Sequence, residues 1–293
     1  MKNKVALVLS GGGARGLSHI GVIEELEKQG FEIHSIAGTS MGAVVGGVYA
    51  AGKMQEYKNW MYTLDRQKVF NLVDFTLSSQ GIIKGDKVFS KMKEFIPDTD
   101  IEKLKINFAA IAADIINHKE VVFRKGSMYD AIRASVAIPS VITPVKNNGT
   151  LLVDGGVMNN IPINHVKRIE NDILVVVYVN ADIPAENQVK KTKEEKHNQS
   201  VYLKKIKEFQ KHLYKDNPKN KQDKMGYFNL INQTISTMTY QMGRMMLEKH
   251  SPHILIEISR HSCSTFDFYK AQEMVEIGRQ AAIKKINEFI KSN

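Results

Sequence analysis

Val5-Ala6-Leu7-Val8-Leu9-Ser10-Gly11-Gly12-Gly13-Ala14-Arg15-Gly16 is the stretch whose reading decides the fold. Five apolar residues without polar alternation read as a strand buried on both faces. The glycines at 11–16 end it, and Leu17, Ile20, Val22, Ile23 and Leu26 then supply one helical face until Gly30. Outward from there, strand and helix patterns keep alternating. Ile33 to Ala37 reads as a second strand, and 43–51 as a small-residue helix apolar enough to be buried. Helical patterns cover 54–62 and 86–95, with an illegible stretch at about 71–85 between them. Strands follow at Ile106 to Ala113 and Glu120 to Arg124, then a helix from Met128 to Val136 and a short strand at Leu151 to Val153. Ile173 to Val179 is another near-continuous apolar run; 228–248 reads as helix, His253 to Ile258 as strand and Tyr269 to Ile290 as a closing helix. Such alternation indicates an α/β fold, a mostly parallel central sheet flanked by helices.

The glycine loop satisfies G-x-G-x-x-G, but a dinucleotide site also needs an acid about 20 residues on, at the end of the second strand. Ile36-Ala37-Gly38-Thr39 holds that place, and Glu32 lies at the strand's other end. The phosphate-loop pattern fails as well, because its lysine position is Leu17. A nucleotide-binding protein is therefore disfavoured. A glycine loop at a helix start still offers free N–H groups, which can hold a developing oxyanion. The plainer alternative is a tight turn that needs only positive φ.

Gly38-Thr39-Ser40-Met41-Gly42 matches G-x-S-x-G between a strand and a helix. That is the context of a nucleophile elbow, whose small flanking residues allow a sharp turn that lifts the serine. The competing role for Ser40 is a helix N-cap. A serine nucleophile needs a base. Of nine histidines, His250, His253 and His261 fall late enough in the chain for a hydrolase triad, but none carries a loop signal, and His19 reads as a packed or capping residue. Asp154 ends a strand and precedes Gly155 and Gly156, so it stands where open α/β sheets bind ligands. Burial there would raise its pKa towards a useful base. An ordinary Asp-Gly turn is the alternative.

Glycine loop, G-x-S-x-G and Asp-Gly-Gly, in that order, resemble the patatin-like phospholipase family, and most of all its small stand-alone bacterial branch. The likeness is strong over about 5–168 and extends to Arg133-Ala134-Ser135-Val136-Ala137-Ile138-Pro139 and Asn159-Asn160-Ile161-Pro162. Phe266-Asp267-Phe268 is similar to the branch's C-terminal end. The resemblance implies a patatin-like three-layer fold and a serine lipid acyl hydrolase of phospholipase A or esterase type, working through an acyl-enzyme with no metal or cofactor. It implies Ser40 as nucleophile and Asp154 as base, without a histidine. It further implies an oxyanion hole from Gly12, Gly13 and Ala14, with Arg15 holding the loop and Gly11, Gly16, Gly38, Gly42, Gly155 and Gly156 supporting the motifs. Ser140-Val141-Ile142 departs from the branch's usual glycine and phenylalanine, which bears on acyl-chain fit.

Composition sets the outer limits. The chain has 293 residues, 43% hydrophobic and 25% charged, which suits one hydrolase domain spanning 1–293. Its core would be about 5–168 plus 226–293, with a lysine-rich insertion or lid at about 180–225. The lone Cys263 excludes an internal disulfide and fits a cytoplasmic location. The apolar run after Met1-Lys2-Asn3-Lys4 is too short for a signal peptide. Net charge is +10, and residues 186–224 hold twelve lysines against six acids. This local excess argues against nucleic acid and for peripheral contact with an anionic membrane at its inner face, or else for a solvated surface. Tyr202, Ile206, Phe209 and Leu213 give that segment one helical stripe. A membrane-associated regulatory protein with a vestigial site is the alternative function. Met238, Met242, Met245 and Met246, with Ile231 and Ile235, read as a core face, with an acyl-pocket wall or a dimer or membrane face as the sharper readings, and Trp60 as a residue on a lid near the elbow.

Overall fold

From Val5 to Leu9 the first strand, β1 (Lys4–Leu9), has no solvent exposure. Val5, Leu7 and Leu9 join one apolar cluster while Ala6 and Val8 join another, as a period-two backbone at the centre of a three-layer fold requires. A computed structural model describes residues 3–78, 81–147, 149–185 and 227–292. The lysine-rich segment 186–224, its helical stripe and the expected insertion or lid beyond residue 185 therefore lie outside the described residues.

Two strands leave β1 on either side. β2 (Glu32–Thr39) pairs with it in parallel. A small separate hairpin, β3 (Phe75–Ser78) with β4 (Gly81–Ile83), follows in sequence. β5 (Asn107–Asp114) extends the parallel sheet beyond β2. β6 (Lys119–Phe123), β7 (Val145–Asn147) and β8 (Thr150–Asp154) then form an antiparallel margin against β5. β9 (Ile173–Ala181) returns to the other side of β1, and β10 (Ile254–Ser259) closes that edge, both in parallel. The order is β10-β9-β1-β2-β5-β8-β7, with β6 also on β5. The expected mostly parallel sheet is present. Sequence pattern did not give the direction of β8 or the existence of the three-residue β7.

α1 (Ser18–Lys28), α2 (Met41–Ala50) and the C-terminal helix Ala271–Ser292 cover one face of the sheet. Every residue of α2 except Tyr49 is buried, so the small-residue helix is a core helix, as its uniform apolarity predicts. α3 (Met54–Tyr62), α4 (Arg66–Asn71) and α5 (Asp86–Lys93) add to the same apolar cluster. The opposite face is partly covered by the helix Tyr227–His250 through Tyr240, Met246 and Leu247. Two of its methionines depart from the expected core face, Met238 and Met245 being 57% and 67% exposed, while Met246 packs inward as expected. Cys263 is buried, and burial pushes its thiol up to about 12. Among the described residues no helix is long and apolar enough to cross a membrane.

Candidate active site

Sheet register brings the two chemical groups together. Thr39, the last residue of β2, is level with Ile111 of β5. One step further, Ser40 stands level with Ala112, whose partner along that same edge of β5 is Asp154 of β8, since β6 holds the other edge through Val121. Ser40 and Asp154 therefore meet along one edge of β5 beside a small residue, where β2 ends and β8 arrives from the opposite direction. An antiparallel β8 is what carries Asp154 in to this level.

Ser40 takes φ 54° and ψ −124°, a conformation that L residues avoid and that a nucleophile elbow holds under strain. The turn is possible because its flanks are bare. A Cβ on Gly38 would stand 2.4 Å from the Gly42 carbonyl oxygen, and one on Gly42 would stand 2.1 Å from that of Leu9. The Ser40 side chain makes no capping hydrogen bond to α2, so the N-cap role does not occupy its hydroxyl. Its backbone N–H donates to Ser135 Oγ at 2.8 Å, and Ser135 in turn donates to the Ile111 carbonyl at 2.6 Å. The elbow is thus tied to β5 through α6 (Met128–Ser135).

Asp154 is 6% exposed. Its N–H donates to the Ala137 carbonyl at 2.9 Å, and its Oδ1 accepts the Gly156 N–H at 2.8 Å. Burial raises its pKa to about 6, while the neighbouring Ser40 hydroxyl and the Gly156 N–H hold it down. A carboxylate in this state is ionised at neutral pH yet basic enough to take a proton. The Asp-Gly turn also exists, since the Gly156 bond closes it. The two roles coexist.

The glycine loop is fastened from three directions. Asn180, at the end of β9, donates from Nδ2 to the Gly11 carbonyl at 2.7 Å. Gly11 N–H reaches the Asn160 carbonyl at 3.2 Å. Arg15 donates from Nε to the Val179 carbonyl and Asn180 Oδ1, from Nη1 to the Cys263 carbonyl and from Nη2 to Asn180 Oδ1, at 2.9 to 3.2 Å. Its guanidinium is consumed in holding the loop, the part the resemblance implied for it. Ala14 differs from the expectation. Its N–H is donated to the Thr265 carbonyl at 2.8 Å, and the residue is fully buried, so it has no donor left for an oxyanion. Gly12 and Gly13 donate to no protein acceptor among the described residues, and both line the cleft that holds Ser40 and Asp154. Gly16 sits in the 3-10 turn that follows the loop, and Gly155 follows Asp154, packed against β5 at Ile111.

Two cavities meet at Ser40. One is apolar, about 180 Å³, walled by Val44, Trp60, Leu72, Val88, Phe89 and Met92 among others. Trp60, on α3, thus lines the same cavity as Ser40. The second, the more polar of the two, is about 360 Å³ and holds the glycine loop, Asp154, Asn160, Asn180 and residues of the helix Tyr227–His250. That helix, Ile235 included, borders the polar cleft and not the apolar cavity. Among the described residues no histidine lines either one. His253 Nδ1 accepts the Leu174 N–H at 2.8 Å, His261 faces Asp182 at 3.5 Å, and buried His19 Nε2 meets the Ser10 carbonyl at 2.9 Å. Four supporting residues went unassigned in the sequence: Ser135, Asn160, Asn180 and Thr265. Ser135 and Asn160 lie inside quoted motifs. Asn180 and Thr265 carry no local signal, since their contacts are 169 residues and 251 residues away in sequence, at Gly11 and Ala14.

The profile described as patatin-like phospholipase matches residues 7–167. An uncharacterized NTE family protein of Mycobacterium tuberculosis is 31% identical over 98% of this chain and 92% of its own length. Lysophospholipase NTE1 of Cryptococcus neoformans is 35% identical over 60% of this chain and 11% of that protein. Among solved structures, VipD from Legionella pneumophila aligns with a TM-score of 0.51 at 15% identity, covering 99% of this chain and 67% of that one, a likeness of fold.

Proposed function

On the premise that the chain belongs to the patatin-like phospholipase family, and so is a hydrolase acting on ester bonds, we propose that a Ser40–Asp154 dyad cleaves lipid acyl esters through an acyl-enzyme. One observation carries this reading: the strained, uncapped Ser40 lies beside a buried carboxylate where an apolar cavity opens into a polar cleft. The acyl chain enters the apolar cavity, and the alcohol side of the ester stays in the polar cleft. Ser40 Oγ attacks the carbonyl carbon while Asp154 takes its proton. The free N–H groups of Gly12 and Gly13 hold the oxyanion. Collapse of the tetrahedral intermediate expels the alcohol, which leaves with the proton from Asp154. Water then attacks the acyl-enzyme, Asp154 takes its proton and returns it to Ser40 Oγ, and the fatty acid departs.

The whole catalytic set, sheet and helices belong in this proposal to one domain, with the lysine-rich segment as an insertion. Its charge supports peripheral contact with anionic lipid. The test of the dyad is direct. A fluorophosphonate should label Ser40 alone, and Ser40→Ala should abolish both labelling and ester hydrolysis with unchanged circular dichroism. Hydrolysis persisting in Ser40→Ala would refute the dyad.

A further inference from the structure

Arg260 follows β10 and fixes only its backbone to the sheet, its N–H donating to the Ala181 carbonyl at 2.9 Å. The residue lines the polar cleft that also holds Ser40. Among the described residues the guanidinium makes no hydrogen bond and no ion pair, whereas that of Arg15, in the same cleft, is fully committed to the loop. Tyr178, on β9, is the second anomaly. Its ring is packed in the second apolar cluster and the residue is only 2% exposed, yet its hydroxyl has no hydrogen-bond partner. A buried polar atom left without a partner requires an explanation. Tyr178 lines the same cleft and lies within electrostatic reach of Arg260. Burial pushes its phenol up to about 12, so it remains a donor at any working pH. Among the described residues lining the cleft Asp154 is the one carboxylate, and Asn180, Gln233, Thr239 and Tyr240 complete a polar wall.

We propose that Arg260 and the Tyr178 hydroxyl form an anion subsite that takes the phosphate of the substrate's head group while the acyl chain lies in the apolar cavity. This rests on the ester-hydrolase reading of Ser40 and adds what that reading leaves open, the choice between phosphate-bearing and neutral esters. A planar guanidinium can present two N–H donors to two phosphate oxygens, and the phenol adds a third donor from the β9 side.

The test compares 1-oleoyl-lysophosphatidylglycerol with 1-oleoylglycerol, which share the scissile ester and differ in the phosphodiester. The full chain should prefer the first. In Arg260→Gln the ratio of the two kcat/KM values should fall about tenfold or more, mainly through KM, as loss of a hydrogen bond to a charged group implies. Arg260→Lys should recover part of it, and Tyr178→Phe should lower the ratio several-fold. An unchanged ratio in Arg260→Gln, or an equal loss on both substrates, would overturn the proposal. Inorganic phosphate that raises the Tm of the wild type but not of Arg260→Gln, with the ratio unchanged, would assign the site to free phosphate and also overturn it. A wild-type chain that cleaves neither ester and takes no fluorophosphonate at Ser40 would instead refute the hydrolase reading, and this one with it.

Discussion

Replacing Asp154 by Asn should abolish activity and stabilise the protein, by an amount that depends on pH. The native carboxyl titrates at about 6 against an ordinary 3.8, because it is buried. Between those values the folded state holds a proton that the unfolded state has released, so wild-type stability falls as pH rises through this window. The cost in the folded state reaches between about 1 and 2 kcal/mol at pH 5 and about 3 kcal/mol at pH 8, where both states are ionised. Asn is nearly isosteric, keeps an acceptor for the Gly156 N–H and carries no charge, so it removes that cost. Urea titrations of both proteins at pH 5 and pH 8 should therefore show the advantage of Asp154→Asn growing by about 1 to 2 kcal/mol across the interval. An advantage that stays constant, or shrinks, would refute the assignment of a raised native pKa. The same carboxyl should shape catalysis. Wild-type kcat/KM on a soluble ester should rise with pH to a plateau above about 6, and Asp154→Asn should lie at least about a hundredfold below it.

The late histidines are expected to be dispensable for chemistry: His250→Ala, His253→Ala and His261→Ala should each keep kcat on p-nitrophenyl butyrate within about twofold, though His253→Ala should lose some Tm with its bond to Leu174. Loss of turnover in one folded variant would restore a triad. Leu72→Trp should narrow the apolar cavity and shift the acyl preference towards shorter chains, read as the ratio of octanoyl to oleoyl ester hydrolysis. If the lysines of 186–224 meet a membrane, flotation with anionic liposomes should be strong at low salt and fade as salt rises; binding that ignores salt would exclude an electrostatic contact.

The fold was legible wherever a segment was long and monotonous in pattern. Val5 to Leu9 of β1 and Ile173 to Val179 of β9 are near-continuous apolar runs, and α2 is apolar on every side, so each declared both its type and its depth. Residues 71–85 were opaque for a physical reason. They hold the end of α4 and strands of four and three residues, shorter than the window in which any period can show. The site was legible at its glycines, because steric exclusion leaves few substitutes at an elbow. Ala14 was misread because a glycine loop advertises free N–H groups without saying which of them the rest of the chain will use. Thr265, far along the chain, uses one.

Register, which no single segment specifies, is what turns these parts into a site. Ser40 and Asp154 are 114 positions apart in sequence and meet only because β2 and β8 both pair with β5, one in parallel and one antiparallel, so that both are level with Ala112. A slip of one residue in β8 would turn Asp154 to the opposite face of the sheet. Several contacts hold that register. The Asp154 N–H is fixed to the Ala137 carbonyl, Gly155 packs against Ile111, and Ser135 links Ile111 to the elbow. The serine and the carboxylate are thus tied to the same two residues of one buried strand. A hydroxyl that must lose its proton at one moment of the reaction gains from this rigidity, since a base already in place requires no reorganisation when the charge moves.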